Sequence, residues 1–283
     1  MWRRIVISAV ILVLILVFVA GIGHFGLGWW QPSHSTISET AAACDSASEP
    51  TTLEDVLVIA HQALDEIDRN IHDYSAVIVK QERISGKVIA TVMFAKIREK
   101  PFSVYLNFLD RSDNNAVKGR EVIYFQGRNN DQLMCHTPGF QDSTVGTLSL
   151  PPKGILAMLG EHYPITEIGL ANLCRQLIQR GESAGDPRQV KVKRFPHARI
   201  NTRTCTLLEV VYPVHEPKIL GYLARVFLDD QWRFPIRVEV YELPKDTGKG
   251  PQLVEAYTYL DLKCNNGYTD ADFDPKNRQY KFP

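Results

Sequence analysis

Few residues in this chain combine the types and spacing that chemistry requires. Glu161-His162 sets a carboxylate beside an imidazole. A zinc-binding helix would need a second histidine about one turn away. Ile165-Thr166 stand there instead, so the two read as a surface or capping pair. Asp270-Ala271-Asp272-Phe273-Asp274 alternates carboxylates as the start of a calcium loop does. The sixth position is Pro275 and the twelfth Lys281, where such a loop needs glycine and a bidentate glutamate. That stretch reads as a C-terminal turn. Cys135-His136 offers a thiol and a base, but adjacent strand residues point to opposite faces and cannot act together.

Cys44, Cys135, Cys174, Cys205 and Cys264 are scattered without a CxxC pair or metal-type spacing, which argues against a zinc site or a redox motif. In an oxidising compartment one pair is free to form a disulfide. Cys205 with Cys264 is the pair to test first, because both fall in strand-like runs. No GxSxG elbow, phosphate-cradling GxxxxGK or GxGxxG after a strand occurs. A hydrolase would need a site assembled from distant residues, such as His136, His162, His197 or His215 with Asp or Glu. The expectation is a protein with no enzymatic activity, no cofactor and no metal.

Lys+Arg and Asp+Glu both number 32, and such a balance gives no general attraction to nucleic acid. The one basic cluster is Arg188, Lys191, Lys193, Arg194, Arg199 and Arg203. Within it Gln189 to Lys193 alternates polar and apolar, the pattern of a strand with a solvated face. A contact with lipid headgroups or an acidic partner is the other reading of this cluster.

The chain opens with Met1-Trp2-Arg3-Arg4 and an unbroken apolar run from Ile5 to Gly23, and no lysine or arginine follows until Arg69. A run of about 18 or more apolar residues spans a bilayer as a helix, and the basic flank stays cytoplasmic. Trp29 and Trp30 fall where an interfacial aromatic belt would lie. A cleaved signal peptide has a shorter apolar region and a small-x-small exit, which only Gly21-Ile22-Gly23 offers. Residues 1–30 are therefore expected to be one transmembrane anchor at the cell membrane, with the N-terminus cytoplasmic and the main domain periplasmic. Ala41-Ala42-Ala43-Cys44 hints at lipid attachment but lies far beyond the apolar run. Residues 31–52 read as a flexible tether, and 53–283 as the folded domain.

Thr52 followed three residues later by Asp55 marks a helix start. Leu53, Val56, Leu57, Ala60, Ala63, Leu64, Ile67 and Ile71 recur at helical spacing behind it. From Tyr74 the period becomes two, with strands expected over 76–84, 88–98, 102–109, 120–126 and 132–137. A helical block is expected at Ile155, Leu156, Met158 and Leu159 and again over 165–179, with Gly181 suited to its C-terminal cap. Strands resume over 189–195, 203–212, 220–229, 235–243 and 252–264. The predicted fold is α+β, a curved antiparallel sheet with one wet and one apolar face, closed by helices as a half-barrel. In the last strand Val254, Ala256 and Thr258 share one side, and Glu255, Tyr257 and Tyr259 the other.

The blocks from Tyr74 to Arg83, Lys96 to Tyr105, Lys118 to Tyr124 and Pro164 to Gly169 resemble the bacterial domain-of-unknown-function 1571 family. Phe234-Pro235-Ile236-Arg237, Tyr257 to Leu262 and Asp272-Phe273-Asp274-Pro275 fit the same pattern, so the resemblance covers roughly residues 53–283. The element order is similar to that of the LolA and LolB lipoprotein carriers and the RseB-type envelope sensors. That resemblance implies an apolar cavity holding an acyl chain, a lipoprotein or an apolar peptide. Its expected lining is Phe94, Phe102, Val104, Leu106, Phe108, Tyr124, Phe227 and Val238 from strands, with Ile155, Met158, Leu159 and Leu173 from helices. The alternative is that these side chains fill a dry core, and that the domain serves as a sensor or scaffold for another envelope protein.

Overall fold

A computed structural model of the protein describes residues 48–112, 117–137, 146–212, 221–243 and 250–282. The apolar run at Ile5–Gly23, Cys44, His215 and most of the expected tether lie outside them. Among the described residues no helix is long and apolar enough to cross a membrane.

Twelve antiparallel strands form one open sheet in the order β1-β8-β9-β10-β11-β12-β2-β3-β4-β5-β6-β7. They are β1 (Glu49–Thr51), β2 (Asp73–Ile84), β3 (Lys87–Arg98), β4 (Ser103–Arg111), β5 (Glu121–Phe125), β6 (Leu133–His136), β7 (Thr147–Leu150), β8 (Lys191–Ile200), β9 (Arg203–Val211), β10 (Leu223–Asp229), β11 (Pro235–Glu242) and β12 (Gln252–Cys264). The helices are α1 (Leu53–Asn70) and α2 (Leu170–Glu182). Residues 49–51, expected in the tether, are the edge strand β1, paired with Val192 to Arg194 of β8.

Local chemistry explains most boundaries. Asp55 N donates to Thr52 Oγ1 at 3.1 Å and Thr52 N donates to Asp55 Oδ2 at 3.0 Å. This reciprocal cap satisfies two orphan donors and starts α1. Ser85 and Gly86 join β2 to β3 with φ of 49° and 83°, the two positive values that match a tight turn to the twist of the strands it joins.

The expected first helix of the second block is absent. Between Pro151-Pro152 and Gly160, whose φ is 75°, the chain makes turns, with Met158 N donating to Gly154 O at 3.0 Å. Glycine costs about 1 kcal/mol in a helix interior, and the apolar spacing of 155–159 does not outweigh both breakers. Gly181 is not a cap either, because α2 runs on to Glu182.

The core lies on the concave face, where Tyr74, Ile78, Met93, Ile97, Val104 and Leu106 pack with Ile67 of α1 and Leu170 and Leu173 of α2. The opposite face of β3–β5 is not wet. There the C-terminal segment packs Phe273, Tyr268, Tyr280 and Phe282 over Phe94, Tyr105, Ile123 and Phe125. Asp270 and Asp272, the calcium-loop residues, are taken up by cations: Arg98 Nη1 lies 2.8 Å from Asp270, and Lys96 Nζ 3.1 Å from Asp272.

Candidate functional site

The site consists of an apolar slit, a charged latch and the segment 151–168 that crosses the concave face. The slit runs between the helices and β9–β10. Val56, Leu57 and Ala60 of α1, Leu177 and Gly181 of α2, and Leu208, Val210 and Val226 of the sheet line it. Its cavity volume is about 40 Å³. That is room for a water or a methyl group, well below the roughly 150 Å³ that admits benzene. Gly181 shapes it: a β-carbon there would lie 2.7 Å from Leu57 Cδ2, closer than any real contact. The glycine sets how closely α1 and α2 approach.

Beside the slit the concave face turns polar. The β12–β2 register pairs Glu255 with Glu82, Tyr257 with Lys80 and Tyr259 with Ile78. The side expected to be wet therefore faces inward. Glu82 and Glu255 are each 2% exposed and Lys80 is 7% exposed. Burying such charges is costly unless each is paired, and the partners come from 151–168 and α2. Glu161 pairs with Lys80 and, at 3.6 Å, with Arg111. His162 Nδ1 lies 2.9 Å from Glu255 Oε2 and Nε2 lies 3.4 Å from Arg83 O. Tyr163 Oη donates to Glu255 Oε1 at 3.0 Å, and Arg180 Nη2 donates to the same oxygen at 2.7 Å. Tyr257 Oη donates to Glu82 Oε1.

Both ring nitrogens of His162 face acceptors, so the imidazolium is the form this site favours. The hydrogen bond to Glu255 raises its pKa, against burial, which pulls the other way. Burial pushes Glu255 upward, but the His162 hydrogen bond, the Arg180 charge and the Tyr163 hydroxyl outweigh it and hold the carboxyl below its usual range. The His162 ring thus links the Glu255 carboxylate on β12 to the Arg83 carbonyl at the end of β2. Among the described residues its ring makes no hydrogen bond to a serine, threonine or cysteine. What the cluster does is bind Glu161, His162 and Tyr163 in succession to the floor of the sheet.

The other histidines are dispersed. His136 is 1% exposed, with Nδ1 2.7 Å from Gly146 O and its ring against Phe282. Cys135 packs on the opposite, concave face, as alternation requires. His197 sits exposed in β8 with φ of 64°. Among the described residues no group of three or more His, Cys, Asp or Glu is arranged to hold a metal ion. Cys205 and Cys264 are free thiols, not a disulfide. Their strands stand three interstrand steps apart, about 14 Å at the usual spacing, and a disulfide needs Cα atoms within about 7 Å. Burial pushes the two thiols up to about 12 and about 11.

The twelve expected lining residues divide by strand parity. Phe102, Val104, Leu106, Phe108, Tyr124, Val238 and Leu173 belong to the concave core. Phe94 is on the opposite face under the C-terminal segment. Phe227, 6% exposed, is buried in the same core cluster, where the β10–β11 register shifts between Phe227 and Leu228. Ile155 and Leu159 are 87% and 52% exposed, and Met158 is half-buried. None of the twelve lines the slit. Its helical wall was visible in the spacing of Leu53 to Ala60, and its sheet wall only in the alternation of β9 and β10. A second cavity of about 190 Å³ at the far rim is polar, lined by Arg203, Asp229, Trp232 and Asp261. Asp229 is already saturated there by Arg203 and by the amides of Gln231 and Trp232.

An open antiparallel sheet wrapped on two helices, with an apolar slit beneath them, defines the structural class. Within it the chain belongs to the family described as Protein of unknown function (DUF1571), whose pattern matches residues 71–282. No curated protein matches the chain. Among solved structures it is similar to the lipoprotein LppX of Mycobacterium tuberculosis, at 16% identity over 78% of this chain and 99% of that one, TM-score 0.43. It is also similar to MucB in the Pseudomonas aeruginosa MucA/MucB complex, at 14% identity over 77% of this chain and 60% of that one, TM-score 0.40. The LolA superfamily protein NE2245 of Nitrosomonas europaea is 11% identical over 79% and 98%, TM-score 0.31. At this identity and score none bears on ligand or activity.

Proposed function

We propose that the protein is a membrane-tethered envelope protein without enzymatic activity, which binds an acyl chain, a lipoprotein or an apolar peptide along its concave face. The observation that carries this reading is the slit, a gap with almost wholly apolar walls between two helices and a sheet that otherwise pack closely. Apolar walls favour apolar occupants, and few polar groups are needed to orient them. At about 40 Å³ the slit is closed to a chain, so loading requires α1 and α2 to part from β9 and β10. The apolar run from Ile5 to Gly23 supports a tether that keeps the domain at the extracytoplasmic face of the cell membrane.

The test uses the full chain in amphipol. Native mass spectrometry should find a co-purified acyl species, and a fluorescent fatty acid should be displaced saturably. Absence of both ends the carrier reading. The small volume of the slit favours a second reading, a scaffold with a filled core. In-cell crosslinking to one stoichiometric protein partner, without lipid, would select it.

A further inference from the structure

The segment 151–168 is built inside out. Its charged and polar residues Glu161, His162 and Tyr163 point into the domain, while Ile155, Leu156 and Leu159 are 87%, 46% and 52% exposed. Single exposed aliphatic residues need no explanation. Three within five positions on one turn form a patch, and patches mark contact sites. Residues 154–160 carry no charge and are bracketed by Lys153 and Glu161. The base of the turn is fixed on one side by the latch and on the other by Lys153 Nζ, 3.2 Å from Glu167. The apolar tip lies outward of both contacts.

We propose that this turn is a bilayer contact, with Ile155, Leu156 and Leu159 entering the acyl region and Lys153 lying at headgroup level. The inference rests on the tether of the proposed function and deepens it. Two observations favour a membrane over a protein partner. The exposed side chains are all aliphatic, whereas protein interfaces draw on Trp, Tyr and Arg at their centres. The chain between Gly23 and Ser48 reaches at most roughly 90 Å when extended, so a domain anchored through Ile5–Gly23 stays within touching distance of the bilayer.

The experiment places the full chain in vesicles of phosphatidylcholine with a minor fraction of phosphatidylglycerol and a diazirine-tagged phospholipid, then maps lipid adducts by peptide mass spectrometry. Adducts are expected on 154–160 as well as on Ile5–Gly23. In the double variant Ile155→Asp, Leu159→Asp, those on the turn should fall about tenfold or more, as a charge in hydrocarbon requires. The thermal melt should be unchanged, because both side chains are exposed. Adducts confined to Ile5–Gly23 overturn the contact and leave the tether standing. Adducts on the turn alone support the contact and overturn the tether. No adducts anywhere overturn both. In cells, a photoreactive residue at Leu156 that captures a protein and no lipid also overturns the proposal.

Discussion

Arg180 of α2 and Glu255 of β12 meet at 2.7 Å, 18% and 2% exposed, with Tyr163 and His162 on the same carboxylate. One buried acid thus holds a helix, the crossing segment and the sheet together. Glu255→Ala leaves Arg180 without its counter-charge, and removing one partner of a buried pair costs about 3–5 kcal/mol. Urea unfolding should show that loss. The milder Glu255→Gln, which keeps the shape, should lose less, and hydrogen exchange at 161–164 should rise in both.

Gly181 is the contact point of the two helices. Gly181→Val must displace Leu57, and overpacking of this kind costs about 1–3 kcal/mol. The same side chain fills the slit, so fatty-acid displacement should disappear even in preparations that remain folded. Retained displacement would place the ligand elsewhere.

Two of the described groups, Glu99 and His162, lower stability as pH rises toward and through neutrality. Burial pushes the Glu99 carboxyl up to about 7 from an unfolded value of 4.5, with Arg175 opposing. Its raised folded pKa means that this group's contribution to stability is full below about pH 4.5 and falls as pH rises to about 7, by on the order of 3 kcal/mol. Glu99→Gln should flatten that decline in urea titrations across pH. His162 also has a raised folded pKa, so its contribution is complete below 6.5 and is lost as pH rises beyond that. His162→Gln should remove this second decline and leave the first.

Phe273, 2% exposed, lies edge-on to Phe125 at 6.5 Å and to Tyr268 at 6.2 Å. Phe273→Ala should cost about 3–5 kcal/mol, the usual range for a buried phenylalanine. Calorimetry should register it as one cooperative transition at lower temperature if the C-terminal segment folds with the sheet.

Legibility followed the range of the forces involved. Thr52 and Asp55 announce α1 because a cap is made within four residues. Ten strands could be read from alternation, whereas β1, of three residues, is too short to show a period, and β7 was not among the expected strands. The face of β12 was misread because Glu255 and Tyr257 look solvated until their partners arrive from positions 75 to 175 residues away. Parity along a strand is visible in the sequence, but which parity faces the helices is a tertiary fact.

The edge strand β1 has a mechanical consequence. Chain before Ser48 enters the domain through Glu49–Thr51, held to β8 by three residue pairs, one of them Pro50, which has no amide to donate. A pull along that chain peels this edge first and releases about 10 Å of slack, before any load reaches the capped start of α1.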